Sequence, residues 1–125
     1  MQIYTDNGFT LEENKEQILR HFKAVRDNKE LEPIAYNGNL FDFDQKSYER
    51  INAAIITLSI TGGKIYWTTA DNNTVEVSAN DLKGVVASAA DRSNQLHIEY
   101  RHIKEEVNEA ESNEELDAIY ETWAK

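Results

Sequence analysis

His97 and His102 are the first residues to weigh for chemistry, because two imidazoles on one helix face can hold a metal ion when four residues separate them. They lie five apart, which turns them onto different faces, and His21 is remote in sequence. All three read as exposed or amphipathic helix positions. Ser59, Ser78 and Ser93 would need flanking glycines to sit on the sharp turn that exposes a nucleophile, and they lack them. Gly62-Gly63-Lys64 has a lysine after two glycines but not the following Ser or Thr of a phosphate-binding loop. Asp42 and Asp44 alternate with Phe41 and Phe43, so the two carboxylates share a strand face. A glycosidase-like pair would need a cleft around them, and turn or cap roles fit better. Asp71-Asn72-Asn73 lacks the remaining ligands and closing Glu of a calcium loop. With no cysteine in the chain, thiolate zinc sites, disulfides and cysteine nucleophiles are excluded. These residues predict no enzyme, no metal and no cofactor.

The elements that carry them are clearer. Asn37-Gly38 between short apolar segments marks a hairpin, since a two-residue turn with positive φ at both central positions favours Asn-Gly. Asp71-Asn72-Asn73 marks a second hairpin with less definition. Between them Tyr48, Ile51, Ile55 and Leu58 recur at spacings of three and four, one face of a helix that Asp44 would cap and Gly62-Gly63 would stop. Side chains alternate along a strand, so Tyr66 and Trp67 face opposite ways. Trp67 is expected in the core and Tyr66 outside.

Three helix starts share one chemistry. Thr10-Leu-Glu-Glu13, Ser78-Ala-Asn-Asp81 and Ser112-Asn-Glu-Glu115 each place a hydroxyl three residues before an acid, as in a capping box. The first begins an amphipathic helix with Leu11, Ile18, Phe22 and Val25, running to about Asn28, and Pro33 closes the connection behind it. The second opens the longest element. Leu82, Ala89, Leu96, Ile103 and Ala110 interleave with Val86, Ser93, Tyr100 and Val107 as two series of seven, an a/d seam of four heptads. At ~1.5 Å per residue such a helix reaches about 45 Å, so part of it is expected to project. The third box turns the chain back, and Leu116, Ile119, Tyr120 and Trp123 would cover the seam as a helical hairpin. Association of the seam with a second copy, or with a coiled coil on a partner such as a fibre, is the other way to bury it. The fold predicted is α+β: a small antiparallel sheet of two β-hairpins packed on a helix, with an N-terminal helix, a long C-terminal helix and a short final helix. The division expected is 1–33 as an N-terminal helical segment and 34–125 as the main domain.

Composition limits the partners. At 125 residues with 40% hydrophobic and 29% charged side chains, the chain fits one soluble domain. The longest apolar run, Ala53 to Ile56, is far short of the ~20 residues a membrane span needs, and the first residues carry polar groups where a signal peptide needs a basic start and an apolar middle. A cytoplasmic protein is expected, without membrane contact. Acids outnumber bases 23 to 13 for a net charge of −10, which repels phosphate backbones and argues against ordinary nucleic-acid binding. Much of the acid lies from Glu105 onward, where Glu109, Glu111 and Glu115 read first as a solvated helix face and second as a surface for a basic partner.

Tyr36-Asn37-Gly38, Phe41, Asp42, Ser47, Arg50-Ile51, Trp67-Thr68-Thr69, Asp71-Asn72, Val75, Asp81-Leu82, Gln95, Tyr100, Arg101 and Lys104 carry, by order and separation, a resemblance to a domain of unknown function widespread in tailed bacteriophages and prophages, often encoded beside tail-fibre genes. The resemblance covers about Ile34 to Trp123 and brings no active site with it. What it implies is a phage tail-associated protein acting by protein–protein binding, foremost an assembly chaperone for a tail-fibre or receptor-binding protein, in the host bacterial cytoplasm. A persistent component of the virion tail or fibre is the alternative, and an acidic inhibitor of a host nucleic-acid-binding enzyme the third reading. Candidate contacts with a partner are Ile18 and Phe22 on the first helix, Tyr66 on its strand, Tyr100 on the heptad seam, Glu109, Glu111 and Glu115 at the acidic end, and Trp123 near the terminus, which either locks the last helix or anchors a partner.

Overall fold

The computed structural model describes residues 2–124. Four helices and four strands follow in the order α1 (Leu11–Lys29), β1 (Ile34–Tyr36), β2 (Asn39–Phe41), α2 (Gln45–Thr61), β3 (Lys64–Thr68), β4 (Thr74–Ser78), α3 (Ala79–Glu109) and α4 (Asn113–Trp123). The class is α+β, as the sequence predicts, with one difference in the sheet. The two hairpins form two separate two-stranded antiparallel sheets, and the Ala70 N–H in the turn after β3 donates to the Leu40 carbonyl of β2 at 2.7 Å. Strands of three residues are too short to extend a common ladder.

The chain divides into two compact units, residues 28–94 and a second made from both ends, 1–27 with 95–125. The apolar face of α1 belongs to the two-ended unit, where Ile18 and Phe22 pack with Ile103, Val107 and Leu116, more than eighty positions later. Long α3 contributes its first half to one unit and its second half to the other.

In the 28–94 unit, Asn37 and Gly38 take φ of 50° and 77°, and Tyr36 pairs with Asn39 across them. This is the positive-φ turn that the residue pair predicts. Ile34, Phe41, Ile51, Leu58, Trp67, Val77, Leu82, Val85 and Ala89 form the core. Trp67 is buried and Tyr66 is 74% exposed, as alternation requires. Asp44 caps α2 by accepting from the Ser47 amide at 3.0 Å. Tyr48, expected on the buried face of α2, is 37% exposed and leans on Phe43, ring centroids 5.3 Å apart; the buried arc is narrower and centres on Ile51 and Leu58. The Ser78–Asp81 box closes in both directions, Ser78 N–H to the Asp81 carboxylate at 2.9 Å and Asp81 N–H to Ser78 Oγ at 3.1 Å. The Ser78 amide and hydroxyl, both donating to it, hold the Asp81 carboxyl below its usual range. The ring of Tyr36 lies directly on Gly84 of α3, so close that a Cβ there would come within 2.2 Å of it. The hydrogen of glycine is what admits the ring. Arg92 gathers the chain leaving α1, donating to the carbonyls of Glu30 at 2.7 Å and Glu32 at 2.8 Å.

In the two-ended unit, Tyr4, Ile18, Phe22, Ile103, Val107, Ala110 and Leu116 are buried together. The Thr10–Glu13 box is reciprocal at 3.0 and 3.2 Å. At α4 the box is half made: Ser112 Oγ accepts from Glu115 N–H at 3.2 Å, while the Glu115 carboxylate takes the N–H of Glu111 instead. The final helix covers Ile103, Val107 and Ala110, so the hairpin reading of this part of the seam holds. Along the rest of the seam Val86, Ser93, Leu96 and Tyr100 are only half-buried, and Val85 takes a core place that the heptad spacing assigned to its neighbour.

Candidate functional site

The sequence candidates do not converge on one place. Ile18 and Phe22 are 0% and 4% exposed and belong to their unit's core. Their heptad-like spacing describes an amphipathic face without saying what covers it. Tyr100 is half-buried; Arg26 stacks on its ring at 4.9 Å and its hydroxyl donates to the Leu19 carbonyl at 3.4 Å. Trp123 is half-buried, and its indole N–H donates to Glu106 at 2.7 Å, a lock on the last helix. Glu109, Glu111 and Glu115 are exposed. Glu109 and Glu115 border a shallow depression of about 310 Å³ whose floor is Ala110, Ala118 and Ile119. Among the described residues no three His, Asp or Glu side chains are grouped so as to hold a metal ion.

One acid of this end does the reverse of what its neighbours do. Asp117 is 8% exposed and accepts the Tyr4 amide at 2.8 Å, the Thr5 amide at 3.1 Å and the Thr5 hydroxyl at 2.6 Å. Burial pushes its pKa up, but these donors outweigh burial and hold the carboxyl below its usual range. Tyr4, buried first and then facing Tyr120 and Asp117, is raised to about 12. Beside them Asn14, fully buried, donates to the Tyr4 carbonyl at 3.0 Å and to Asn113 Oδ1 at 3.0 Å, and accepts from Asn7 at 2.8 Å. This polar lattice ties residues 4–7 down. A charge run seen in sequence gives no sign of which member turns inward.

Two features of the 28–94 unit were not singled out from sequence. The first is a groove of about 270 Å³ between Leu31, Phe43, Tyr48, Val86, Ala89 and Ala90, rimmed by Glu30, Gln45 and Ser93; Ser93 Oγ donates to the Glu30 carboxylate. The second is the outer side of α2. Ile56 and Ile60, one turn apart, are 64% and 82% exposed, and Ala53 and Thr57 beside them are exposed as well. No charged residue occurs from Ile51 to Gly63. The hydroxyls in that stretch turn back on their own helix, Thr57 to the Ala53 carbonyl at 3.0 Å, Ser59 to Ile55 at 2.6 Å and Thr61 to Thr57 at 3.2 Å. Each of these hydroxyls spends its hydrogen on the carbonyl four residues back. The uncharged run is the signal in the sequence that marks this side.

No curated protein and no solved structure matches the chain. A family model matches residues 13–120, reaching back into α1, further than the start at Ile34 that the resemblance suggested. With that match over most of its length, the chain belongs to the family described as a domain of unknown function, DUF4376.

Proposed function

We propose that this chain is a non-enzymatic, protein-binding member of its family, and that its client is a phage tail-fibre or receptor-binding protein whose apolar surfaces it shields during assembly in the host bacterial cytoplasm. The observation that carries the binding reading is the outer side of α2: two large isoleucines held in water, with no charge across the surrounding stretch. Scattered single apolar residues on a surface need no explanation, but adjacent isoleucines with their neighbouring hydroxyls turned away are a surface suited to contact. The choice of client follows from the resemblance to proteins encoded beside tail-fibre genes.

The reading is tested by expressing the adjacent fibre gene with and without this chain. Soluble fibre trimer should rise several-fold on co-expression, and less so with Ile56→Lys or Ile60→Lys. An unchanged insoluble fraction would rule out the chaperone role.

A further inference from the structure

Asparagine followed by glycine occurs twice in the chain, at Asn7-Gly8 and Asn37-Gly38. The pair carries a reaction of its own. A backbone nitrogen that reaches the side-chain amide carbon of the preceding asparagine closes a five-membered imide and expels ammonia, and glycine obstructs that approach least, having no Cβ and the widest backbone freedom. By sequence the two sites are alike. The fold separates them.

At Asn7 both ends of the side-chain amide are engaged. Its Nδ2 donates to Asn14 Oδ1 at 2.8 Å, and its Oδ1 accepts from the Phe9 amide at 3.0 Å and from Asn14 Nδ2 at 3.3 Å. Asn14 is fully buried and is itself bonded to the Tyr4 carbonyl and to Asn113. Turning the Asn7 side chain toward Gly8 breaks these bonds and leaves a buried amide short of partners, a change that a polar network in a dry interior resists.

Asn37 has no such restraint. It stands exposed at the tip of the first hairpin, and among the described residues its side-chain amide has no hydrogen-bond partner; only its backbone carbonyl is used, by Asn39 Nδ2 at 3.4 Å. Gly38 lies in open space, with nothing within 4 Å of where a Cβ would stand. The strands on either side are three residues long, and so short a ladder opens at its turn far more cheaply than a core element does. Local opening supplies the backbone rotation at Asn37 that ring closure needs.

We infer that Asn37 is a site of spontaneous deamidation and that Asn7 is held by the fold against the same reaction. The Gly38 nitrogen forms a bond to Cγ of Asn37 and gives up its proton, the bond from Cγ to Nδ2 breaks, and Nδ2 leaves as ammonia. Water then opens the imide at either carbonyl, giving aspartate or isoaspartate at position 37. Nothing is oxidised or reduced, and water is the one co-reactant. Both products place a carboxylate in a depression of about 210 Å³ that Glu76 and Asp81 already line, where like charges repel. Isoaspartate also adds a backbone carbon to a two-residue turn, which disturbs the pairing of Tyr36 with Asn39 across it and with it the seat of the Tyr36 ring on Gly84.

The test follows the full chain, folded, in mildly alkaline buffer, beside a second sample held unfolded in urea. Peptide mapping by mass spectrometry reads the gain of about one dalton at each asparagine, and labelling by an isoaspartyl methyltransferase reports the isomer. In the folded chain Asn37 should convert about tenfold or more faster than Asn7, and urea should bring the two rates within about threefold of each other. In Asn37→Gln, whose longer side chain cannot close the five-membered ring, the isoaspartyl signal of the folded chain should fall to background. Equal rates in the folded chain, faster conversion at Asn7, no conversion at Asn37, a difference of the same size in urea, or a signal that persists in Asn37→Gln would each overturn the inference.

Discussion

The two units solve the problem of small size by opposite means. The 28–94 unit relies on apolar contact: Phe41, Ile51, Trp67, Val77 and Leu82 meet inside it, and its polar groups serve mostly as caps and turns. The two-ended unit has an apolar core as well, but adds a buried polar lattice in which Asp117 and Asn14 fix an irregular segment. Charge follows the same division, with 14 acids to 7 bases in the two-ended unit and 9 to 6 in the other. Apolar cores are tolerant of exchange if volume is kept, whereas a buried carboxylate with several donors is not. The difference teaches where each unit is fragile.

Asp117→Ala should expose that contrast most sharply. It leaves two amides and a hydroxyl without their acceptor, a loss of about 2–4 kcal/mol measured by urea unfolding, and hydrogen exchange at Tyr4 and Thr5 should accelerate well before that of β3 and β4. If exchange at those two amides stays slow, the lattice is not what holds the segment.

Gly84→Ala attacks the other unit through packing alone. Alanine gains up to ~1 kcal/mol of helix propensity, but its methyl meets the Tyr36 ring at 2.2 Å, and the net result should be a loss of about 1–2 kcal/mol as the ring is displaced. Tyr36→Ala in the same chain should recover part of that loss, and a cycle of the two variants measures the coupling. Simple additivity would show that the ring moves aside at no cost.

Gly38→Ala tests a backbone effect of about 1 kcal/mol, since φ of 77° is strained for any residue with a Cβ. Thermal melting should register a drop, while Gly38→Asn should lose less.

Acid gives the gentlest version of the first comparison. A carboxyl whose folded pKa lies below its unfolded value stabilises the fold above the unfolded pKa, near 3.9, and that stabilisation fades as pH falls through the lower folded pKa. Asp117 is such a group. Between about pH 4 and pH 2, hydrogen exchange at Tyr4 and Thr5 should therefore rise relative to neutral-pH behaviour once intrinsic rates are corrected, and Asp117→Asn should flatten the dependence. A profile identical in both chains would assign the effect to other acids.

Much of the fold was legible because it is written locally. Thr10 with Glu13 and Ser78 with Asp81 are self-contained caps, Asn37-Gly38 specifies its own turn, and Tyr66-Trp67 needs only the alternation of a strand. What escaped reading is decided at long range. The cover of Ile18 and Phe22 comes from Ile103, Val107 and Leu116, and the inward turn of Asp117 depends on Tyr4, 113 residues away. Val85 displaced its neighbour because the core of the 28–94 unit approaches α3 from a direction that a straight heptad seam does not encode. The α2 surface was visible in principle, as an uncharged run in a chain that is 29% charged.

That 113-residue separation of Tyr4 from Asp117 also sets a timetable. At synthesis rates of roughly 5–20 residues per second, the ribosome needs about 6–20 seconds after making Tyr4 to produce its acceptor. During that interval residues 28–94 can close on themselves, while Ile18 and Phe22 wait uncovered for the last fifth of the chain. A message that ends before Asp117 leaves Tyr4 and Thr5 without their acceptor and Ile18 and Phe22 without the cover of α4.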